Sequence, residues 1–338
     1  VSHSPRPATP PSGLRTALVG TIALISAIML VGCTTVPIDT GDVPADDTAA
    51  LRSGPRTATL ATPDIVPVAT DVRPGPDADR IIALDRNGTL GSTVFALGLG
   101  DHVVARDRST TFPSAEPLPV VTESGHAINP ERVLAQNPTV VLVTDEATPP
   151  GAVDQLRAAR IRVAVMPSER SIASNDQLIR TVADALGVPD AGEKLVRRTD
   201  RQIAEAKSHI PDPSGDPTIG FLYIRGEHLV LLAGPDSGAD DLISALGGRD
   251  AGTAAGLDAA FTQVSAETMI KAAPDVLLVM TQGAESVGGI DGVLALPVVA
   301  LTPAGRNRRI VTMDETQILM FGPDTGLVLD ALAKSIYA

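Results

Sequence analysis

Apolar residues along this 338-residue chain fall in short runs whose spacing changes with position. The first run, residues 17–31, is apolar apart from Gly20, Thr21 and Ser26 and follows Arg6 and Arg15 with no acid between. Its length of about fifteen residues is short of the roughly 20 a spanning helix needs. A basic lead, a short apolar core and small residues before a cleavage point make a secretory signal. Residues 34–78 carry seven prolines and no aromatic residue, and are expected to be mostly a flexible tether, with room for a short strand within 57–68. From residue 80 onward the runs become regular. Residues 80–84, 102–106, 140–143 and 161–165 read as buried strands. Helices are expected over 90–97, closed by Gly98, and over 150–159. Between 174 and 209 the spacing turns helical: Leu195, Val196, Thr199, Ile203 and Ala206 recur on one face, with an interruption at 187–190. Strands resume at 218–224, 228–232, 276–279 and 309–312, with helices at 239–246 and 325–337. Strands alternating with helices predict parallel sheets covered on both faces.

An internal repeat sharpens the organisation. Residues 129–143 match residues 265–279: a polar cap, a Glu (Glu131, Glu267), a short helix, a Pro (Pro138, Pro274) and a buried strand, at the same offset throughout. Each proline ends its helix and admits the strand. The chain is therefore expected to be an α/β protein of two Rossmann-like lobes with central parallel sheets. The first lobe is placed at 79–172, a connecting helical segment at 173–210 and the second lobe at 211–338. They follow a signal at 1–32 and a tether at 33–78.

Composition narrows the chemistry. The net charge is −13, and loss of residues 1–32, with two arginines and no acid, makes it −15. Such a chain lacks the basic footprint of a nucleic-acid binder and the charge to hold anionic lipid. Cys33 is the only cysteine, so once it is modified no disulfide, thiolate or cysteine-metal chemistry remains. With no Trp, five Phe and two Tyr, the composition argues against stacking platforms for sugars or single strands. Catalytic signatures such as Gly-x-Ser-x-Gly, a phosphate loop or His-Glu-x-x-His are missing, and Ser237 has no evident base, which argues against an exported enzyme.

The stretch Leu30-Val31-Gly32-Cys33 resembles the lipobox of bacterial lipoproteins, which implies a lipid on Cys33 and anchoring to the outer face of the cell membrane. The two lobes, the helical connector, Pro130-Glu131 with Asn137-Pro138, and Phe321-Gly322-Pro323 resemble the class III substrate-binding proteins of ABC importers. Glu123-Ser124-Gly125-His126 and Tyr223-Ile224-Arg225 are most similar to the haem binders of Gram-positive importers. That resemblance implies a cleft between the lobes that captures haem, with His126 and Tyr223 as axial iron ligands. It also implies delivery to a permease with its ATPase. The protein is expected to be a monomer with little domain motion. The same fold binding a ferric siderophore or cobalamin is the alternative, although no arginine cluster marks the expected cleft loops.

The residues themselves are compatible with this chemistry. Iron(III) accepts both imidazole and phenolate. Tyr223 and Arg225 lie two apart on an expected strand and leave the same face, so Arg225 is placed to support the phenolate or meet a haem propionate. A lone tyrosine in an apolar strand equally suits a core position, and a loop histidine equally suits solvent. His102, His209 and His228 read as structural or surface residues. Met313 and Met320 either line the cleft or fill core. Permease docking, by the resemblance, uses one surface acid per lobe. Asp240 or Asp241 suits the second lobe, whereas the first-lobe position near Ser92 has no acid.

Overall fold

The computed structural model describes residues 51–211 and 215–337. The expected signal and Cys33 lie outside the described residues. The chain enters through β1 (Arg56–Thr57), which joins the sheet of the second lobe. The first lobe is built on β2 (Ile81–Leu84), β3 (Val103–Arg106), β4 (Val140–Thr144) and β5 (Arg162–Met166), all parallel, in the order β3-β2-β4-β5. The second contains β6 (Thr218–Ile224), β7 (Val230–Ala233), β8 (Arg249–Asp250), β9 (Phe261–Gln263), β10 (Val276–Met280) and β11 (Ile310–Met313). Its order is β1-β11-β10-β6-β7-β9, with β8 beside the start of β6. The centre of that sheet is parallel, as expected, but β7 pairs antiparallel with both β6 and β9. The reason is local: the 225–229 turn joins β6 to β7 directly, and a turn without a crossover permits only antiparallel pairing.

Alternation explains why both sheets are covered on two faces. On β2, Ile81 and Ala83 enter one core while Ile82 and Leu84 enter another. On β6, Ile219 and Phe221 face one core and Leu222 and Ile224 the opposite one. Tyr223 packs at the edge of the Phe221 core, so strand periodicity sets its direction.

The connector is two helices. Ser171 opens the Ile172–Ala185 helix with a capping box, its Oγ accepting the Ser174 N–H at 3.0 Å. Gly187, at φ 74°, and Pro189 separate it from the Pro189–Ser208 helix. That second helix belongs to both lobes: Leu195 and Val196 lie in the first core, Ile203 and Ala206 in the second. The closing Thr325–Tyr337 helix packs onto it so tightly at Gly326 that an added Cβ would stand 2.4 Å from Gln202 Cβ.

The repeat is visible in three dimensions. Asn129 and Ser265 each cap their helix through the N–H three residues on, at 3.0 and 3.1 Å. The residues before the two prolines, Asn137 and Ala273, both turn left-handed, at φ 48° and 44°. The residues after those prolines then donate to the neighbouring strands: Thr139 N–H to Arg80 O and Asp275 N–H to Thr218 O.

One expectation fails. Residues 51–78, read as tether, are packed against the lobes. Leu51, Ala58 and Ala78 are buried, Ile65, Val68 and Val72 press on the first core, and Val68 N–H reaches Ala96 O at 2.8 Å. Widely spaced apolar residues dock this segment without any internal period, which is why its prolines suggested a free chain.

Candidate functional site

The ends of the strands of both lobes meet at a seam. Thr111 Oγ1 and Thr316 Oγ1 approach to 3.1 Å across it, and Asn87 Nδ2 donates to Leu319 O at 3.3 Å. Open cavities flank these contacts. One of about 940 Å³ is lined by Asn87, Glu146 and Arg170 from one side and by Asp236, Asp240 and Asp241 from the other. Another of about 600 Å³ is lined by Asp64, Thr111, Phe112, Thr316, Met320 and Asp324.

His126 stands on the first-lobe side. A tight turn presents it, with Gly125 at φ 71° and His126 itself at φ 63°. The ring is half-buried and borders a smaller cavity of about 280 Å³ with Arg86, Thr122 and Glu146. Its Nδ1 lies 3.3 Å from Ser109 Oγ, and Ser109 donates its hydroxyl hydrogen to Arg86 O at 2.6 Å. The Ser109 oxygen is left only to accept, so Nδ1 carries the hydrogen and Nε2 carries the lone pair. Burial, followed by the positive charges of Arg86 and Arg108, lowers the His126 pKa and favours the neutral imidazole. A neutral ring with a free Nε2 and a hydrogen-bonded Nδ1 is the form that ligates a metal.

Beneath this turn lie two carboxylates. Asp107 accepts the N–H groups of Asp85, Ser109 and Thr110 at 2.9, 2.9 and 2.7 Å. Asp85 accepts those of Thr89 and Leu90 at 3.2 and 3.1 Å, and faces Arg170 at 3.4 Å. Gly88 has no side chain to cap the Thr89–Ala96 helix, so Asp85 does so from outside. Complete burial and the adjoining Asp85 charge push Asp107 up to about 7. These groups fix the Ser109 backbone and, through it, the His126 ring.

Tyr223 stands on the second-lobe side, half-buried near the end of β6 and paired with Leu231 of β7. The Arg225 guanidinium lies over its ring, 4.6 Å from the centroid, and the Phe261 ring meets it edge-on at 6.4 Å. Arg225 donates to Ile224 O at 2.9 Å and stands 4.0 Å from Glu315 Oε1. The Glu315 Oε1 accepts the Gly283 N–H at 3.1 Å, while Oε2 is buried with no partner among the described residues. The cation is therefore beside the phenol, as strand spacing predicts, but stacked on its face. Thr316 follows Glu315, and Thr111 lies two residues past Ser109, so the threonine contact ties the two clusters across the seam.

Other expected residues fall elsewhere. His102 bonds Asp79 O, His209 pairs with Asp330 at 2.7 Å, and His228 is exposed. Met313 is core, whereas Met320 lines the cavity beside Thr111. Ser92 is fully buried, so its helix offers no docking surface there. Asp241 caps the connecting helix by accepting the Ile172 N–H at 2.5 Å, and Asp240 accepts the Asp236 N–H at 2.9 Å. No group of three or more metal-ligating side chains occurs among the described residues. Ser109, Asp107, Glu315 and Phe261 carry no signal of their role in the sequence. For Asp107, Ser109 and Glu315 the only trace is a polar residue just beyond a strand end.

Two α/β lobes share one helix and meet at a seam, with His126 carried by the first lobe and Tyr223 by the second. The chain belongs to the periplasmic binding protein family, whose profile matches residues 87–316. Its members are substrate-binding transport proteins that work outside the cytoplasm, and not enzymes. Its architecture is that of the class III binding proteins of ABC importers. Among solved structures, the chain is similar to the heme binding protein HmuT: 34% identity, TM-score 0.78, covering 85% of this chain and 98% of that one. The periplasmic heme-binding protein RhuT of Roseiflexus sp. RS-1 is 39% identical, with TM-score 0.71 over 77% of this chain and 98% of that one. BhuT, solved with two hemes, is 33% identical, with TM-score 0.69 over 76% and 97%. No curated protein sequence matches the chain.

Proposed function

We propose that this protein captures haem between its lobes, with His126 and Tyr223 on opposite faces of the iron, and passes it to an importer permease. What supports the reading is a neutral imidazole with its Nε2 free in the first lobe and a phenol beside a cation in the second. A phenol titrates near ~10, so ligation requires a stabilised phenolate; the ferric ion supplies most of that and Arg225 adds to it. Arg225 acts on Tyr223 as a positioning residue, held by Glu315. HmuT structures include alanine variants of a histidine, a tyrosine and an arginine two positions after that tyrosine, and Tyr223 and Arg225 have the same spacing. Lipidation of Cys33 would hold the protein beside its permease. Of the two candidate docking acids, Asp241 holds the start of the connecting helix and Asp240 holds the turn before its own helix.

Titration of the apoprotein with haemin should give a Soret shift with a stoichiometric endpoint. Tyr223→Ala and His126→Ala should each change that spectrum and weaken binding at least about tenfold, since each removes an iron bond. An unchanged spectrum in either variant removes that residue as a ligand, and no endpoint in the parent protein overturns the haem reading.

A further inference from the structure

We infer that the cavity walled by Asp64, Thr111, Met320 and Asp324 binds a small aliphatic diamine, with the Asp324 carboxylate holding one of its ammonium groups. His126, Tyr223 and Arg225 do not line this cavity, so the inference stands apart from the haem reading.

Asp324 is the anomaly. In a chain of net charge −13 exposed acids are ordinary, but a buried carboxylate needs donors or a counter-charge. The other buried acids among the described residues have them. Asp85 faces Arg170 and caps a helix, Asp107 accepts three N–H groups, and Asp250 accepts the Thr253 N–H at 2.7 Å. Asp324 is only 5% exposed, yet its carboxylate has no hydrogen bond or ion pair among the described residues. Only its backbone oxygen is engaged, by the Val328 N–H at 3.0 Å. Burial pushes its pKa up to about 6, and the charge of Arg198 offsets this in part. That guanidinium is itself turned to Val66 O.

Asp324 lines the cavity of about 600 Å³ beside the seam, and two more acids stand on the same wall. Each of these is half engaged. Asp64 Oδ1 accepts the N–H groups of Ile65 and Ser114 at 2.8 and 3.2 Å, and Asp314 Oδ1 accepts the Thr316 N–H at 2.8 Å. Their Oδ2 atoms have no such bond among the described residues. No Lys, Arg or His lines the cavity. The three carboxylates are too dispersed for a metal ion, since no group of three metal-ligating side chains occurs among the described residues. Between them the wall is apolar, from Leu60, Ile65, Phe112 and Met320. Separated acids joined by apolar surface suit two ammonium groups joined by methylenes, with charge-assisted bonds at the ends and the stem on the wall. The wall also comes from three parts of the chain: the leading segment, the turn after β3 and the turn after β11. A diamine seated there would tie the leading segment and both lobes together.

The test is calorimetric titration of the full chain with cadaverine, and separately with pentylamine and magnesium chloride, in one buffer of physiological salt. Cadaverine should bind saturably at a single site and raise the melting midpoint, because it binds the folded state alone. Pentylamine, with one ammonium group, should bind about tenfold more weakly. Asp324→Asn should weaken cadaverine binding about tenfold or more. Its melting midpoint should stay level or rise, because an amide is cheaper to bury than an unpaired charge, and its haemin titration should match that of the parent. Asp314→Asn keeps an oxygen for the Thr316 N–H and should weaken cadaverine binding by less, about threefold. Absence of saturable binding by the parent, magnesium binding as tight as that of the diamine, or parent affinity in Asp324→Asn overturns the site. If Asp324→Asn does not fold, parent affinity in Asp314→Asn overturns it instead. Failure of the parent to bind haemin overturns the haem reading and leaves this site standing.

Discussion

The imidazole that matters here owes its state to a serine. Ser109 gives its hydrogen to Arg86 O and so compels His126 to donate from Nδ1, leaving Nε2 available. Ser109 is in turn held by Asp107, whose raised pKa has a consequence for stability. With a folded value of about 7 against 3.8 in the free residue, Asp107 binds a proton in the folded state over a window where the unfolded chain does not. Its contribution is therefore full below 3.8 and lost as pH rises through about 7. Asp324, buried and pushed up to about 6, adds to the same slope. The melting midpoint should fall from pH 4 towards pH 7. Asp107→Asn should flatten part of that fall while costing about 1–3 kcal/mol at every pH, because one of its carboxylate acceptors becomes a donor. A variant with the parent slope would refute the assignment.

Elements with a period are legible in the amino-acid sequence alone. The 80–84 and 276–279 runs and the face from Leu195 to Ala206 each form where the spacing places them, because a core on both sides demands a continuous apolar run and a helix demands its stripe. The duplicated cap–helix–proline–strand unit is legible for the same reason, down to its prolines. What the sequence hides has no period to show. β8 and β9 are held by neighbours, and residues 51–78 dock through isolated apolar residues. The proposed site is half legible: His126 and Tyr223 are conspicuous by chemistry and scarcity, while Ser109 and Glu315 touch them through three-dimensional neighbours alone. The repeat also yields a test. Ala273 occupies the left-handed region where its counterpart is Asn137, a residue that tolerates it better. Ala273→Gly should stabilise the protein by about 0.5–1 kcal/mol, and Asn137→Gly by less, in paired denaturant melts. A destabilised Ala273→Gly would show that the turn is not strained.

At the scale of the whole molecule, the Pro189–Ser208 helix makes the lobes hard to separate, because it is a structural member of both cores. Asn175 adds a clasp, donating to Thr325 Oγ1 at 2.9 Å and accepting the Gly322 N–H at 2.8 Å. Loading with haem should leave the radius of gyration from solution scattering unchanged to within about 1 Å, since hinge closure would need this helix to bend. A larger contraction would reveal a hinge. The pairing of β1 with β11 bears on the order in which the protein is made. Thr57 lies opposite Thr312, so the strand at 56–57 has a partner that is made 255 residues later. While the first lobe collapses on its own local strands, the 56–57 segment must wait, unpaired, for most of the remaining chain to appear. The second sheet is thus closed by the beginning of the described chain, and a nascent protein halted before residue 310 would hold one finished lobe and a loose leading end.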